Sequence, residues 1–339
     1  MWHLGPQSDV GNWYEVESPT SKTLHEVVST TDGPYAVGDK GLLVHRQNDG
    51  DWVTTFDDGP ATRDNALYAA AATDDGKRVW FAGSSGALGY YDVEQKEKHD
   101  YTAPMGKTST WEAIAVSGKR GSEKLLVANG SGEVLPGYVD GCCPQWGQVS
   151  KPDGTDSSTG GSGASIAALA ASPDGVGYAV NTSGSVFMTT ADEAWEKIGI
   201  ENAQVKFTDV YADKNTVLVS AGGGRIYRYE PKCKNWTPLG VASVTLNGIG
   251  NYKKEILAVA NGGKIYRQAG DHTWTQRPTP VTGDLTSITD SSGVDVAVGK
   301  SGVIIERGEA EKQKKNGNQQ TGDSGSSSGG SSGGSSSSS

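Results

Sequence analysis

The chain has 339 residues, of which 35% are apolar and 48 are glycine, and it carries a formal net charge of −10. This is too polar for a helical membrane protein and too rich in glycine for a helical bundle. The negative balance also argues against a nucleic-acid surface, which needs clustered Lys and Arg to displace counterions.

The amino-terminal stretch Met1-Trp2-His3-Leu4-Gly5-Pro6 lacks the basic start and apolar centre of a signal peptide. No later stretch reaches the roughly 20 apolar residues of a membrane span, so direct membrane insertion is not expected. Next comes Trp13-Tyr14-Glu15-Val16-Glu17-Ser18-Pro19, which reads as a strand with no partner nearby in the sequence.

From residue 24 onward a strand–turn–strand unit recurs seven times. Its turns are marked by Gly41, Gly86, Gly132, Gly184, Gly224, Gly263 and Gly302, spaced 45, 46, 52, 40, 39 and 39 residues apart. A period of about 40 to 50 residues with four short strands per unit is the pattern of a β-propeller. Tight hairpins favour positive φ, which explains the glycines without any ligand.

Ahead of each unit lies a strand rich in Ala, Ser, Thr and Gly: residues 24–29, 66–73, 111–117, 165–172, 205–212, 244–251 and 285–290. Small side chains suit the crowded axis of a ring. The turns Asp32-Gly33, Asp75-Gly76 and Asp174-Gly175 lead into the second strands, where aspartate has an ordinary turn role. A fourth strand is marked by Trp52, Trp146, Trp195, Trp236 or Trp274, with Tyr101 in the second unit. The seventh unit has no fourth strand of its own, and the one opened by Trp13 is expected to fill the place and close the ring. The reading is therefore all-β: a seven-bladed β-propeller over residues 1–308, closed by its N-terminal strand. A Ser/Gly-rich tail over residues 309–339 is expected to be disordered, as a tether, a spacer or a cloning remnant.

The run Gly262-Gly263-Lys264-Ile265-Tyr266-Arg267 followed by Asp271-His272-Thr273-Trp274 resembles repeats of the Ycf48-like and BNR (Asp-box) propellers. In degenerate form the resemblance covers residues 13–308, and it implies architecture more than activity. Arg228 and Arg267 share one strand position, whereas Arg46 and Arg307 sit one residue further along, on the opposite face. The family's basic patch therefore does not carry over as a ring. No lipobox is present, and the full Asp-box is degenerate in every unit.

Catalytic constellations are sparse. A sialidase-type hydrolase needs an arginine cluster with a tyrosine nucleophile and a carboxylate, and only nine arginines are present. The histidines His3, His25, His45, His99 and His272 show no metal-ligand spacing, although His25 falls in an inner strand and can line the channel. Cys142, Cys143 and Cys233 do not make a disulfide framework. Neither a cofactor nor a metal is expected.

Loops on a rigid scaffold are the better place for function. Two stand out as candidate partner-binding segments: Asp57, Asp58, Arg63 and Asp64 in one, and Lys151, Asp153 and Asp156 in the other. Both join a fourth strand to the next first strand and should open on one face. The expected function is non-enzymatic recognition of a protein or glycan receptor, or of neighbouring structural proteins, on an extracellular or virion surface. A virion spike for host attachment is the specific form of that expectation. The alternatives are a Ycf48-like assembly factor and a glycoside hydrolase.

Overall fold

A computed structural model describes residues 12–308, apart from 142, 155–163, 190–193, 201–202, 253–254, 271 and 292. The tail at 309–339 lies outside the described residues. The strands form seven four-stranded antiparallel sheets. Blades 1 to 6 occupy residues 24–56, 67–100, 111–146, 166–199, 207–240 and 246–277, each with its strands in sequence order. Blade 7 combines three strands from 285–308 with the N-terminal strand Tyr14–Glu15. That strand pairs antiparallel with Ile304–Gly308, Tyr14 opposite Glu306 and Glu15 opposite Ile305. The expected closure is present.

Each blade is covered on both faces by its neighbours, so its second strand reads as an unbroken apolar run instead of alternating. All six residues of Arg78–Gly83 and of Val294–Gly299 are buried. The core is accordingly divided into seven clusters, one per blade-to-blade interface. Trp80, Leu88 and Tyr90 of blade 2 meet Ile114, Leu125 and Leu135 of blade 3, for example. No helix among the described residues is long and apolar enough to cross a membrane.

The marker glycines have a second reason to be glycine. Gly302 has φ +75°, and a Cβ there would lie 1.9 Å from the carbonyl oxygen of Thr20. At Gly224, with φ +70°, it would lie 2.0 Å from the carbonyl oxygen of Ala242. In both cases the contact is with the chain leaving that blade for the next one.

Three of the outer-strand tryptophans tie their blade to the one before it. Trp236 Nε1 donates to the Ile198 carbonyl at 2.8 Å, Trp195 Nε1 to Ser150 Oγ at 3.1 Å, and Trp52 Nε1 to Glu306 Oε1 at 2.9 Å. Trp13 and Trp52 are buried, whereas Trp195, Trp236 and Trp274 are half-buried. Asp49, three residues before Trp52, forms a local turn by accepting from the Asp51 amide at 3.1 Å. Cys143 and Cys233 are exposed, and Cys142 is outside the described residues.

Candidate functional site

Every inner strand carries one extra residue at its start. The register against the second strand slips between Leu24 and Glu26, Leu67 and Ala69, Trp111 and Ala113, and likewise in the other four blades. Such bulges re-aim side chains at sheet edges. The residues set off in this way are His25, Tyr68, Glu112, Ala167, Thr208, Asn247 and Thr286. All seven line a concave mouth of about 400 Å³ or the channel of about 360 Å³ beneath it. Lys206, Asn261, Asp284 and Lys300 complete the rim.

The mouth is chemically lopsided. His25 Nε2 lies 2.8 Å from Asp39 Oδ1, and its ring meets that of Tyr68 edge-on at 5.0 Å. Glu112 is exposed on the mouth wall. Partial desolvation there raises its carboxyl above the usual range, while nearby Lys206 pulls it back. Across the opening, Lys300 Nζ donates to Asp284 Oδ2 at 2.7 Å.

One residue further in, Glu26 and Asp209 line the channel. Glu26 accepts from Ser287 Oγ of blade 7. Asp209 Oδ2 accepts from the Ile249 amide of blade 6 at 2.8 Å, and its Oδ1 from the Val210 amide at 2.7 Å. Burial pushes both carboxyls up, Glu26 to about 8 with Asp209's charge adding to the effect, and Asp209 to about 7.

These raised values set a pH dependence. In the neutral range the folded ring holds protons that the unfolded chain has already lost, so folding takes up protons there. The associated stability is complete below the ordinary carboxylate range and falls as pH rises through the folded values. Between about pH 5 and about pH 8.5 the urea midpoint should drop as Glu26 and Asp209 lose their protons. His45, whose ring burial lowers its pKa, acts in the opposite sense. Comparison with Glu26→Gln isolates the channel, and that variant should have the flatter profile. An identical slope in wild type and variant would contradict the assignment.

The two loops expected to bind a partner do not line the mouth. In the first, Asp57, Arg63 and Asp64 are exposed. Asp58 is instead neutralised by Lys98 of blade 2, whose ammonium also lies 4.8 Å from the Phe56 ring centre. In the second, Ser150 pairs with Val134, Pro152 is buried, Asp153 is exposed, and Lys151 lies near enough to Glu133 to lower its pKa. Asp156 is outside the described residues. Both loops do leave outer strands for the next inner strand, at the end of the blades where the mouth opens. A further cleft of about 660 Å³, with Lys124, Tyr138, Asp174 and Trp195 in its wall, separates blades 3 and 4.

Six of the nine arginines are engaged elsewhere. Arg46 Nε pairs with Glu306 at 2.6 Å, and Arg307 pairs with Asp295 at 2.6 Å and with Glu255 at 3.3 Å. Arg78 pairs with Glu123 at 2.8 Å, and Arg120 with Asp92 at 2.8 Å. Arg228 and Arg267 pair within their own blades, with Glu230 and Glu255. Arg46 and Arg307 thus each reach a carboxylate of a neighbouring blade, Arg307 pairing within its own blade as well, whereas Arg228 and Arg267 pair within one. Among the described residues, no arginine lines the mouth or the channel.

Tyr68, Glu112, Glu26, Asp209 and Lys206 were not legible as site residues from the turn glycines. Aligning the inner strands on their first apolar residue (Leu24, Leu67, Trp111, Ile166, Phe207, Leu246, Leu285) would have exposed the variable column that follows it.

No protein-family model matches the sequence, and no curated protein sequence matches it. Among solved structures, virginiamycin B lyase from Staphylococcus aureus superposes with a TM-score of 0.72 at 12% identity, covering 88% of this chain and 99% of that one. Ycf48 from Cyanidioschyzon merolae gives 0.68 at 16% identity, over 88% and 99%. The WD40 propeller domain of Doa1 gives 0.70 at 10%, over 91% and 99%. Likeness at these identities is one of fold, and in fold this chain is a Ycf48-like seven-bladed β-propeller.

Proposed function

We propose that this propeller is a non-enzymatic recognition module, exposed on a surface, that engages a protein or glycan partner through the face where the channel mouth opens. The observation that carries the reading is where the repeats differ. The marker glycines and interface clusters recur around the ring, whereas the bulged residues and the connections to the next blade change from blade to blade. A rigid ring with variable loops on one face is the arrangement of a binding scaffold.

Met105 is the only large apolar side chain exposed among the described residues, at 62%. It stands in the connection between blades 2 and 3, on the same face as Asp57, Arg63, Asp64 and Lys151. An isolated apolar anchor in a polar, charged surround has the composition of a non-obligate interface. One solved Ycf48 is bound to a D1 peptide, which supports a peptide-like partner. The lack of arginine in the lining of the mouth weighs against glycan hydrolysis.

Attachment of a virion to its host is the specific form of this proposal. Antibody masking of this face on particles carrying the protein should then slow attachment, and an unchanged attachment rate would count against it. For the recognition reading itself, the intact chain is to be screened on glycan and peptide arrays. Combined Asp57→Asn, Arg63→Gln and Asp64→Asn substitutions, or Met105→Ser, should weaken the strongest hit about tenfold. Binding indifferent to both variants would overturn the assigned face.

A further inference from the structure

The seven bulged residues divide into two groups by what they bond. Thr208 Oγ1 donates to the Leu246 carbonyl at 2.7 Å, Asn247 Nδ2 to the Leu285 carbonyl at 2.7 Å, and Thr286 Oγ1 to the Leu24 carbonyl at 2.7 Å. In each case the acceptor is the first residue of the next blade's inner strand. Blades 5, 6 and 7 therefore use this position to link neighbours around the axis. Blade 4 has Ala167 there. In blades 1, 2 and 3 the position holds His25, Tyr68 and Glu112, and none of these makes the corresponding bond among the described residues. The structural duty is dropped on one side of the mouth, and chemically richer side chains stand in its place.

That side is also short of positive charge. The carboxyl groups lining the mouth are Glu112 and Asp284, with Glu26 and Asp209 beneath. The cations are Lys206 and Lys300, and Lys300 is held by Asp284. Asp39 is shared with His25. Glu112 has only the distant attraction of Lys206, and the two channel acids are partnered by neutral donors from Ser287, Ile249 and Val210. Tyr68 adds an aromatic ring to the same wall, and such a face attracts cations. A phosphate or carboxylate ligand would meet these acids with no arginine to hold it. A metal ion would find no group of three His, Cys, Asp or Glu ligands among the described residues.

We propose that the wall formed by Tyr68 and Glu112, beside the His25–Asp39 pair, is a binding site for a primary ammonium group. Lysine side chains and polypeptide amino termini share this chemistry, and the site would take whichever the partner extends into the mouth. The ammonium pairs with the Glu112 carboxylate and lies against the Tyr68 ring. Lys206 is its nearest competitor. Only the identity of the ligand as part of a partner rests on the recognition reading above; the ammonium site stands on its own geometry.

The test is a titration of the intact chain, by calorimetry and by the shifts of its tyrosine ring resonances, at low salt near neutral pH. The probes are Nα-acetyl-lysine methylamide, its uncharged norleucine isostere, and glycinamide as an amino-terminus mimic. The lysine or glycinamide probe should bind saturably, and which of them binds tighter identifies the source. The norleucine probe should bind at least about tenfold more weakly. Glu112→Gln, on an exposed position that leaves the fold intact, should weaken the ammonium probe about tenfold, and Tyr68→Leu about threefold. Lys206→Met should strengthen it, an effect that a merely structural Glu112 would not produce. Equal binding of the norleucine isostere, or indifference to Glu112→Gln in a variant with an unchanged melting temperature, would overturn the site. Calcium chloride alone shifting the same resonances, with that shift lost in Glu112→Gln, would overturn it in favour of a cation site. Failed probe binding with array binding intact rejects this site alone. Probe binding with no array partner rejects the docking reading and leaves the site standing.

Discussion

Removal of residues 1–18 is expected to lower the melting temperature by more than about 10 °C and to make the chain prone to associate, with the loss falling on the whole ring in one transition. Three contacts go at once. Trp13 is buried in the interface between blades 6 and 7, and losing an indole from such a site costs about 3–5 kcal/mol. The strand Tyr14–Glu15 is taken from Ile304–Gly308, together with the bond from the Val16 amide to the Ile304 carbonyl at 3.1 Å. Blade 7 is left with an open edge at the seam with blade 1. Because every blade is buried by two neighbours, opening one seam exposes apolar surface on both sides of it. Calorimetry of the truncated chain checks this; an unchanged melting temperature with unchanged solubility would contradict closure by the N-terminal strand.

Glu306→Ala should cost about 3–5 kcal/mol, because it leaves a buried guanidinium without its counterion. Glu306 is 1% exposed and receives three donors. Arg46 Nε and Trp52 Nε1 from blade 1 reach Oε1 at 2.6 and 2.9 Å, and Tyr14 OH reaches Oε2 at 3.2 Å. One carboxylate thus joins the closing strand, the third strand of blade 7 and the first blade. Glu306→Gln keeps an acceptor but loses the charge, so its cost should be smaller, about 1–3 kcal/mol. Glu230→Ala is the control: its pair with Arg228 is solvent-accessible and should contribute less than about 1 kcal/mol. Denaturant midpoints for the three variants give the ranking. Equal small effects would mean that the seam is held by apolar packing alone.

Much of the ring was legible because its determinants are local and repeated. A glycine at each marker position reports a turn, and seven turns at near-constant spacing report seven blades. Trp13 was readable as part of the closing strand because the seventh unit lacks a fourth strand and the chain's start holds one to spare. The candidate site was less legible, since its residues matter through neighbours distant in sequence. Asp58 read as an available charge, but Lys98, forty residues on, folds against it. Arg46 and Arg307 differed from Arg228 and Arg267 only in strand position, and the partners that make sense of the difference lie in other blades. The bulge at each inner strand leaves almost no trace in composition. Its seven residues are of six types, and a search for similarity between repeats passes over a position where they differ so widely.

The proposed recognition function rests on one face of the ring, and hydrogen exchange tests that face directly. The intact chain is to be compared with and without its strongest array ligand. The prediction is slowed exchange at 57–65, 103–107 and 150–154 and at the first residues of the inner strands around His25, Tyr68 and Glu112. Protection confined to the opposite turns, around Gly33, Gly76, Gly118 and Gly175, would contradict it.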